Sequence, residues 1–343
     1  MKTILALLAG ATLALAAPAA SAQTLKSAQT LKTVKDRGEL VCGVSKGLPG
    51  FSAPDASGKW TGFDVDVCRG LAAAIFNDAN KVKFVPLSAD ERFPALTKGD
   101  VDVLSRNSTW TLEREAKLGL LFTAINYYDG QGFLVRDARK VASALELDKS
   151  KVCVQAGTTA EDNTKDYFAA NGMALELVTL PTSTDLVKAY EEGKCDTLTT
   201  DVSQLYALRL TMAKPGDHIV LPDVISKEPL GPVVRQGDDQ WFNLVKWTIF
   251  AMINAEELGV ATTTIDAALA SKKPEVRRLV GTDGNYGEEL GVTKDFAVRI
   301  VKSVGNYGES FERNVGAASK LGIPRGINQL WSMGGIQYAP PVR

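Results

Sequence analysis

Apolar runs of strand length alternate with amphipathic runs of helix length in the first third of the chain. The predicted strands are residues 40–44, 82–87 and 101–104, and the predicted helices are residues 65–75 and a helix ending near residue 97 that opens at the capping box Ser88-x-x-Glu91. Strands that alternate with helices indicate βαβ units and a largely parallel sheet. This region therefore predicts an α/β fold.

The same order of elements returns in the middle of the chain. The predicted strands are residues 151–155, 175–180 and 197–199, and the predicted helices are residues 184–192 and one that opens at the capping box Thr158-x-x-Glu161. The pattern Gly-x-x-Asp begins at Gly99 and at Gly193. Five residues after the aspartate that ends this pattern, the chain carries Asn107 in the first copy and Asp201 in the second, 94 residues apart.

A repeat of this length is a domain-sized unit used twice, since solenoid repeats are shorter. Two similar α/β lobes leave a cleft between them, and ligands of open α/β sheets bind beyond the carboxyl ends of the strands. Asn107 and Asp201 follow such ends, so we expect both to face the cleft. A chance similarity of two Gly-x-x-Asp turns is the alternative.

Two extended segments, residues 128–136 and 228–235, are predicted to carry the chain between the lobes as a double hinge. We expect the first lobe to comprise residues 23–132, the second lobe residues 133–229, and the return to the first lobe residues 230–343, which include a C-terminal extension.

The return segment begins with a predicted helix over residues 239–258. In the extension, the sequence Gly-Asn-Tyr-Gly-Glu occurs at Gly284 and again at Gly305, and we predict turn-rich loops at both places.

The N-terminus has the pattern of a secretory signal peptide. Lys2 is followed by an apolar run over residues 4–17 and by small residues up to Ala22. A membrane anchor is the alternative, but the run is shorter than the roughly 20 residues that span a bilayer. We expect residues 1–22 to be removed and the mature chain to begin at Gln23, outside the cytoplasm.

Composition narrows the class of ligand. Hydrophobic residues make up 45% of the chain, enough for two cores, and the formal net charge is −1. A nearly neutral chain lacks the excess of positive charge that binding to nucleic acid or to an anionic membrane surface requires. We therefore expect no nucleic-acid partner.

Four cysteines predict disulfides in an exported chain. Three pairings are possible, and we favour Cys42–Cys68 and Cys153–Cys195 because each half of the chain holds two cysteines. Four buried free thiols are the alternative. No Cys-x-x-Cys occurs and His218 is the one histidine, so we expect neither a metal site nor a cofactor.

A serine hydrolase is disfavoured. The nucleophile pattern Gly-x-Ser-x-Gly does occur around Ser45, but Pro49 interrupts the helix that should follow. The one available base, His218, lies in a loop-like acidic stretch and is expected on the surface. No phosphate-binding Gly-x-x-x-x-Gly-Lys motif is present, so ATP would be handled by another subunit.

Four segments resemble the family 3 solute-binding proteins of ABC importers for polar amino acids. Their sequences are most similar to those of the general L-amino-acid-binding subgroup. They are residues 62–66, residues 92–96 with 101–103, residues 106–114 and residues 128–132. The resemblance implies a two-lobed type II Venus-flytrap fold, a free L-amino acid as ligand and the membrane subunits of an ABC importer as partner. It also implies a monomer in the periplasm of a Gram-negative bacterium.

The resemblance implies a role for six positions. Arg114 would bind the ligand's α-carboxylate, Thr109 would donate a hydroxyl hydrogen bond, the backbone carbonyl of Asn107 would face the α-ammonium, Thr158 and Thr159 would offer backbone N–H groups, and Asp201 would bind the α-ammonium. The chemistry agrees, because arginine matches a carboxylate bidentately and a helix N-terminus attracts anions. The alternatives are an exposed helix face at Arg114 and helix caps at Thr158 and Asp201.

Relatives that bind lysine or arginine carry an acidic residue and an aromatic residue near the end of the first strand, where this chain has Ser45 and Leu48. The resemblance therefore implies a wide side-chain pocket and broad specificity. We expect no enzymatic activity. The alternative is a periplasmic dehydratase-like enzyme on the same fold that acts on an amino-acid-like carboxylate. A sensor input domain is disfavoured, because no anchor is predicted in the mature chain.

Overall fold

The computed structural model describes residues 29–343, and the predicted signal peptide, residues 1–22, lies outside this part of the chain. The strands are β1 Leu40–Ser45, β2 Ala53–Pro54, β3 Trp60–Thr61, β4 Val82–Leu87, β5 Val103–Leu104, β6 Leu120–Phe122, β7 Tyr127–Asp129, β8 Gln131–Arg136, β9 Lys151–Gln155, β10 Glu176–Leu180, β11 Thr197–Asp201, β12 His218–Val220, β13 Glu228–Leu230 and β14 Val233–Arg235. The α-helices are α1 Gln29–Arg37, α2 Phe63–Phe76, α3 Arg92–Lys98, α4 Leu112–Leu118, α5 Ala160–Ala170, α6 Ser183–Glu191, α7 Val202–Arg209, α8 Asp239–Glu257, α9 Ile265–Leu269, α10 Pro274–Leu279, α11 Tyr286–Glu289, α12 Phe296–Val304 and α13 Tyr307–Asn314.

Two five-stranded sheets share one topology. The first has the order β4-β1-β5-β14-β6 and the second β10-β9-β11-β8-β12. In each sheet four strands run in the same direction, and the fourth in the order, β14 or β8, is antiparallel to both neighbours. The predicted two-lobed α/β fold with mostly parallel sheets is confirmed. The starts of β5 and β11 are 94 residues apart, and each strand is third in the order of its sheet.

Burial along the strands follows from their place in the sheet. The central strands β1 and β11 are buried almost throughout, because helices cover both faces and neighbours occupy both edges. The edge strands β4 and β10 are largely exposed or half-buried. In both lobes a glycine with a left-handed backbone, Gly99 or Gly193, ends the helix before the strand that leads to the cleft.

The two extended segments form a short antiparallel ribbon where the chain crosses between the sheets. β7 pairs with β13, and Glu228 lies opposite Asp129. β7 continues into β8 of the second sheet, and β13 continues into β14 of the first. These are the double hinge strands that the sequence predicts.

Both favoured cysteine pairs are formed in the structure. Cys42 on β1 is joined to Cys68 on α2, with 6.4 Å between their Cα atoms, and Cys153 on β9 is joined to Cys195, with a Cα separation of 5.6 Å. The first bridge ties β1 to α2 in the first lobe, and the second ties β9 to the turn between α6 and β11 in the second lobe. The alternative of four free thiols is therefore wrong in this structure.

One of the two predicted capping boxes forms and the other does not. The backbone N–H of Ser88 donates to the carboxylate of Glu91 (2.8 Å), and the N–H of Glu91 donates to the Ser88 hydroxyl (3.2 Å). The hydroxyl of Thr158 instead donates to the carbonyl oxygen of Gln155 at 2.7 Å, and no side chain accepts a capping hydrogen bond at the start of α5. A local turn competes successfully for this hydroxyl.

The prediction of turn-rich loops in the extension is wrong, because both Gly-Asn-Tyr-Gly-Glu sequences lead into helices. At the second, the side chain of Asn306 accepts from the N–H of Glu309 and the Glu309 carboxylate accepts from the N–H of Asn306, both at 2.9 Å. This capping box opens α13, whereas the first copy leads into the short α11. The asparagine and the glutamate three residues later were the overlooked signal.

His218 is not a surface residue as predicted. It begins β12, is 8% exposed, and its Nδ1 lies 3.1 Å from the hydroxyl of Tyr190. Within residues 29–343, no cluster of three metal-binding side chains occurs and no helix is both long and apolar enough to traverse a bilayer.

The C-terminal extension is hydrogen-bonded to the backbone of the hinge strand β7 and of the residues just before it. The side chain of Asn328 accepts from the N–H of Tyr128 (2.7 Å) and donates to its carbonyl oxygen (2.9 Å). The hydroxyl of Tyr307 and the amide of Gln337 both donate to the carbonyl oxygen of Asn126, at 2.9 and 3.3 Å. Residues beyond α8 therefore fix the backbone of β7 and the residues just before it.

Candidate functional site

A narrow cavity lies between the lobes, where the carboxyl ends of the two sheets face each other. It is lined by Arg92, Arg106, Asn107, Thr109, Arg114, Gln155, Thr158, Thr159, Thr200, Asp201 and Gln204. The first five belong to the first lobe and the others to the second. Parallel strands in each lobe bring residues from distant parts of the chain to this edge.

The structure brings six of the eight predicted binding residues to the cavity: Asn107, Thr109, Arg114, Thr158, Thr159 and Asp201. Ser45 and Leu48 do not line it. The N–H of Ser45 donates to the hydroxyl of Ser52 (3.0 Å), and Leu48 is packed in the core of the first lobe. The ligand roles of all eight stay predictions.

Arg114 is held by the first turn of α4. The hydroxyl of Thr111 caps this helix by accepting from the N–H of Arg114 at 3.2 Å, and the guanidinium donates to the carbonyl oxygen of Thr109 at 2.7 Å. It also lies over the ring of Phe93, 5.1 Å from the centroid. Arg114 is therefore turned towards the cavity and not onto an exposed helix face.

Asp201 ends β11 and is 7% exposed. Although it stands at the N-cap of α7, its side chain makes no capping hydrogen bond. Burial raises the pKa of Asp201 well above its ordinary value, and the nearby carboxylates Asp129 and Glu228 raise it further. A cation placed beside Asp201 would stabilise its ionised form.

Asn107 lies in a tight turn after β5, with a left-handed backbone at φ 32°. Its N–H donates to the buried carboxylate of Asp64 on α2 (2.9 Å), which holds the turn in place. Its side-chain amide donates across the cleft to the side chain of Gln204 (3.2 Å). Burial raises the pKa of Asp64 to about 7.

Glu228 is a residue of this site that the sequence did not single out. It lies on hinge strand β13, is 1% exposed, and accepts four hydrogen bonds. The donors are the hydroxyls of Thr109 (2.6 Å), Thr159 (2.9 Å) and Ser226 (2.7 Å) and the amide of Asn163 (2.7 Å). Thr109 belongs to the first lobe and Thr159 to the second, so this carboxylate connects both lobes at the hinge.

Arg92 and Arg106 were also missed. Arg92 is the first residue of α3 and donates to the carbonyl oxygen of Gly157 in the other lobe (3.2 Å), and Arg106 donates to the carbonyl oxygen of Leu87 (3.1 Å). Both side chains are buried, at 3% and 6% exposure. Both residues lie in segments on which the family resemblance rests, residues 92–96 and 106–114. Their place in these segments could have identified them as candidate site residues.

The model of the family described as "bacterial extracellular solute-binding proteins, family 3" matches residues 40–262 of this chain. The general L-amino acid-binding periplasmic protein AapJ of Rhizobium johnstonii is 53% identical over 100% of this chain and 99% of its own length. The glutamate/glutamine/aspartate/asparagine-binding protein BztA of Rhodobacter capsulatus is 49% identical over 96% of each chain.

A solved structure is similar over nearly the whole chain. It is an ABC transporter periplasmic binding protein from Brucella ovis with glutathione bound, 51% identical, with a TM-score of 0.90. The match covers 92% of this chain and 99% of the Brucella chain, so the similarity includes the C-terminal extension.

Proposed function

This chain belongs to the bacterial extracellular solute-binding proteins of family 3, and from that premise we propose that it binds free L-amino acids between its lobes and delivers them to an ABC-type importer. The relatives AapJ and BztA are named for amino-acid binding, which supports this ligand class. We place the mature protein in the periplasm of a Gram-negative bacterium, exported by residues 1–22.

One observation carries the proposal: Arg114 of the first lobe and Asp201 of the second line the same cavity. A free amino acid carries a carboxylate and an ammonium on one carbon atom. Arg114 would bind the carboxylate and Asp201 the ammonium, so one small zwitterion would engage both lobes at once. Each charge-assisted contact contributes about 1.5–3 kcal/mol net.

The remaining cavity residues complete this arrangement. The backbone N–H groups of Thr158 and Thr159 lie at the start of α5, where the positive end of the helix dipole favours a carboxylate. The carbonyl of Asn107 would complete the shell around the ligand. The hydroxyl of Thr109 already donates its hydrogen to Glu228, so towards the ligand it would accept a hydrogen bond rather than donate one. Closure requires differential binding, since reversing an open-to-closed ratio from 1:99 to 99:1 takes roughly 5.5 kcal/mol.

The test is titration calorimetry on mature protein stripped of ligand by unfolding and refolding. The panel comprises the twenty amino acids, simple sugars, dicarboxylates without an amino group, and glutathione. Arg114→Ala is expected to weaken every amino acid by roughly 2–5 kcal/mol, and Asp201→Asn to weaken every ligand that has an α-ammonium. Lys117→Ala, on the exposed face of the same helix α4, is the control and should bind normally. Unchanged binding by Arg114→Ala would refute the assignment.

The alternative, a dehydratase-like enzyme, is favoured by one observation: the raised pKa of Asp201 suits a general acid. Glu228 is poorly placed for such a role, because four hydrogen bonds occupy its two oxygens. We propose that the protein returns its ligand unchanged. Mass spectrometry of each bound amino acid after prolonged incubation distinguishes the two, since any loss of water or carbon dioxide would establish an enzyme.

We further propose that residues 23–132 and 230–343 move as one lobe against residues 133–229, and that the protein is a monomer. Pairing of β7 with β13 at the crossing supports this division. Light scattering after size-exclusion chromatography tests the monomer, and hydrogen exchange with and without ligand locates the moving boundary.

A further inference from the structure

Two hydroxyl groups, one from each lobe, connect the cavity to the buried carboxylate of Glu228. Thr109 of the first lobe and Thr159 of the second line the cavity, whereas Glu228 is 1% exposed and does not line it. Both hydroxyls donate to the same oxygen of Glu228, Oε2, at 2.6 and 2.9 Å. A ligand between the lobes therefore meets the two hydroxyls, and Glu228 reaches it by hydrogen bonding only through them.

The other carboxylate oxygen of Glu228 is occupied as well. Oε1 accepts from the hydroxyl of Ser226 and from the side-chain amide of Asn163, both at 2.7 Å. An ionised carboxylate has only acceptors, and four donated hydrogen bonds favour this charged form. Glu228 therefore takes the hydroxyl hydrogens of both threonines and donates none in return.

The surrounding structure holds each threonine in place beside Glu228. Thr109 forms an isolated β-bridge to Leu230 of the hinge strand β13, two residues from Glu228. Thr159 stands at the N-cap of α5, but its side chain makes no capping hydrogen bond. Within residues 29–343, neither hydroxyl has a hydrogen-bond partner other than Glu228. The hydrogen of each hydroxyl is therefore held by this carboxylate.

The orientation of these hydroxyls decides which ligand group fits beside them. A hydroxyl has one hydrogen to donate and two lone pairs that accept, so Thr109 and Thr159 offer the cavity lone pairs alone. The carboxylate of Asp201 lines the same cavity and adds a third acceptor. A primary ammonium has three N–H donors and no lone pair. A ligand hydroxyl has a single donor, and its own lone pairs would face those of the threonines.

We propose that Glu228 is a positioning residue that makes the cleft select a ligand with a primary ammonium over the matching hydroxy acid, by holding the hydroxyl hydrogens of Thr109 and Thr159 away from the cavity. The inference rests on the proposed function and deepens it, because it names the group that orients the acceptors around the ammonium. Asp201 attracts the positive charge, and the oriented hydroxyls add the requirement for several N–H donors.

The first test compares ligands that differ only in the group on the α-carbon. L-aspartate is paired with L-malate, L-alanine with L-lactate and L-glutamate with L-2-hydroxyglutarate, and all six are titrated into the refolded wild-type protein by calorimetry. Each amino acid is expected to bind roughly 100-fold or more tightly than its hydroxy acid, because the hydroxy acid forfeits more than one contact. Equal affinities within the pairs would overturn the inference, and this arm needs no variant to fold.

The second test isolates Glu228 from Asp201. Glu228→Met removes both acceptor oxygens and keeps an unbranched side chain, so the freed threonine hydroxyls can donate to a hydroxy acid. The affinity ratio of amino acid to hydroxy acid is expected to fall by roughly tenfold or more. A purely structural role of Glu228 would weaken both ligands alike and leave this ratio unchanged.

The matched control for this variant is Ser226→Ala. It removes one donor to Oε1 of the same carboxylate but leaves both threonine hydrogen bonds to Oε2 in place. We expect Ser226→Ala to keep the wild-type ratio, even where it lowers the stability of the hinge. A ratio that falls as far in Ser226→Ala as in Glu228→Met would assign the effect to the hinge and reject the inference.

The threonines provide a further arm that does not depend on the folding of Glu228→Met. Thr109→Val and Thr159→Val each remove one oriented oxygen and keep the side-chain shape, and each is expected to lower the ratio by roughly tenfold. Thr109→Ser and Thr159→Ser retain the hydroxyl and should retain the ratio. Where both valines are present, adding Glu228→Met should not change the ratio further, because no hydroxyl is left to orient. Wild-type ratios in both valine variants would reject the inference.

The outcomes separate this inference from the proposed function. If the wild type binds no free amino acid, the proposed function fails. If it binds amino acids and the folded Glu228→Met protein keeps the wild-type ratio, the proposed function stands and the positioning role of Glu228 is rejected.

Discussion

Arg92 and Gly157 connect the two lobes directly, because Nη2 of Arg92 on α3 donates to the carbonyl oxygen of Gly157 at 3.2 Å. Gly157 has a left-handed backbone with φ +71°, and a Cβ atom added there would overlap the carboxylate of Asp90 in the first lobe. A side chain at position 157 would therefore require the Asp90 carboxylate to move before the lobes could approach this closely.

Gly157→Ala is expected to weaken every ligand by roughly tenfold or more, because the new methyl group opposes closure. The matched control is Gly172→Ala, which has a similar backbone (φ +64°) in the same lobe but open space around the new atom. Calorimetry measures affinity, and small-angle scattering measures the compactness of the ligand-saturated protein. Equal affinities of the two variants would contradict the prediction.

Glu228→Gln is expected to lower both stability and affinity. The change replaces one carboxylate oxygen by an NH₂ group, so two of the four donors around Glu228 lose their acceptor. Each buried donor left without a partner costs about 1–3 kcal/mol. Urea unfolding followed by calorimetry measures both effects. The control is Glu176→Gln on the exposed edge strand β10, and a Glu228→Gln protein as stable as this control would speak against the hinge role.

The raised pKa of Asp64 predicts how the free energy of unfolding depends on pH. Burial raises its pKa from the model-compound value of 3.8 to about 7 in the folded protein, so between these values the folded state binds the proton more strongly than the unfolded state. The free energy of unfolding should therefore fall as pH rises from about 4 to about 7, by at most about 4 kcal/mol from this group.

Asp64→Asn keeps an acceptor for the N–H of Asn107 and removes the titration. Urea unfolding across this pH range should show a shallower decrease for the variant than for the wild type. The control is Asp166→Asn, an exposed position on α5. Parallel stability profiles for wild type and Asp64→Asn would show that the pKa of Asp64 is not raised.

Asn328→Ala is expected to loosen the hinge. The variant loses both hydrogen bonds between the extension and the backbone of Tyr128, at a cost of about 1–3 kcal/mol. Hydrogen exchange of peptides covering residues 126–130 should become faster. Asn285→Ala, an exposed extension asparagine that makes no capping hydrogen bond, is the comparison. Identical exchange at the hinge in both variants would mean that the extension does not brace it.

Much of the fold was predictable because the relevant interactions are local or periodic. The strands at residues 82–87 and 151–155 were predicted to the residue, since strands are short runs rich in β-branched and aromatic residues between turns. The 94-residue repeat followed from spacing, and the two disulfide pairs were favoured because each half of the chain holds two cysteines. The helix at Asn306 was missed although its capping box is a local pattern, so that error was one of interpretation.

What the sequence determined by itself is therefore the two-lobed architecture and most of the side chains that reach the cleft. Only the tertiary structure decided which charges meet there. Arg92 and Glu228 are 136 residues apart in the chain, and each acquires its surroundings from the other lobe or from the hinge. Electrostatic energies depend on distance in space and on exclusion of water, and neither quantity is contained in the spacing of residues along the chain.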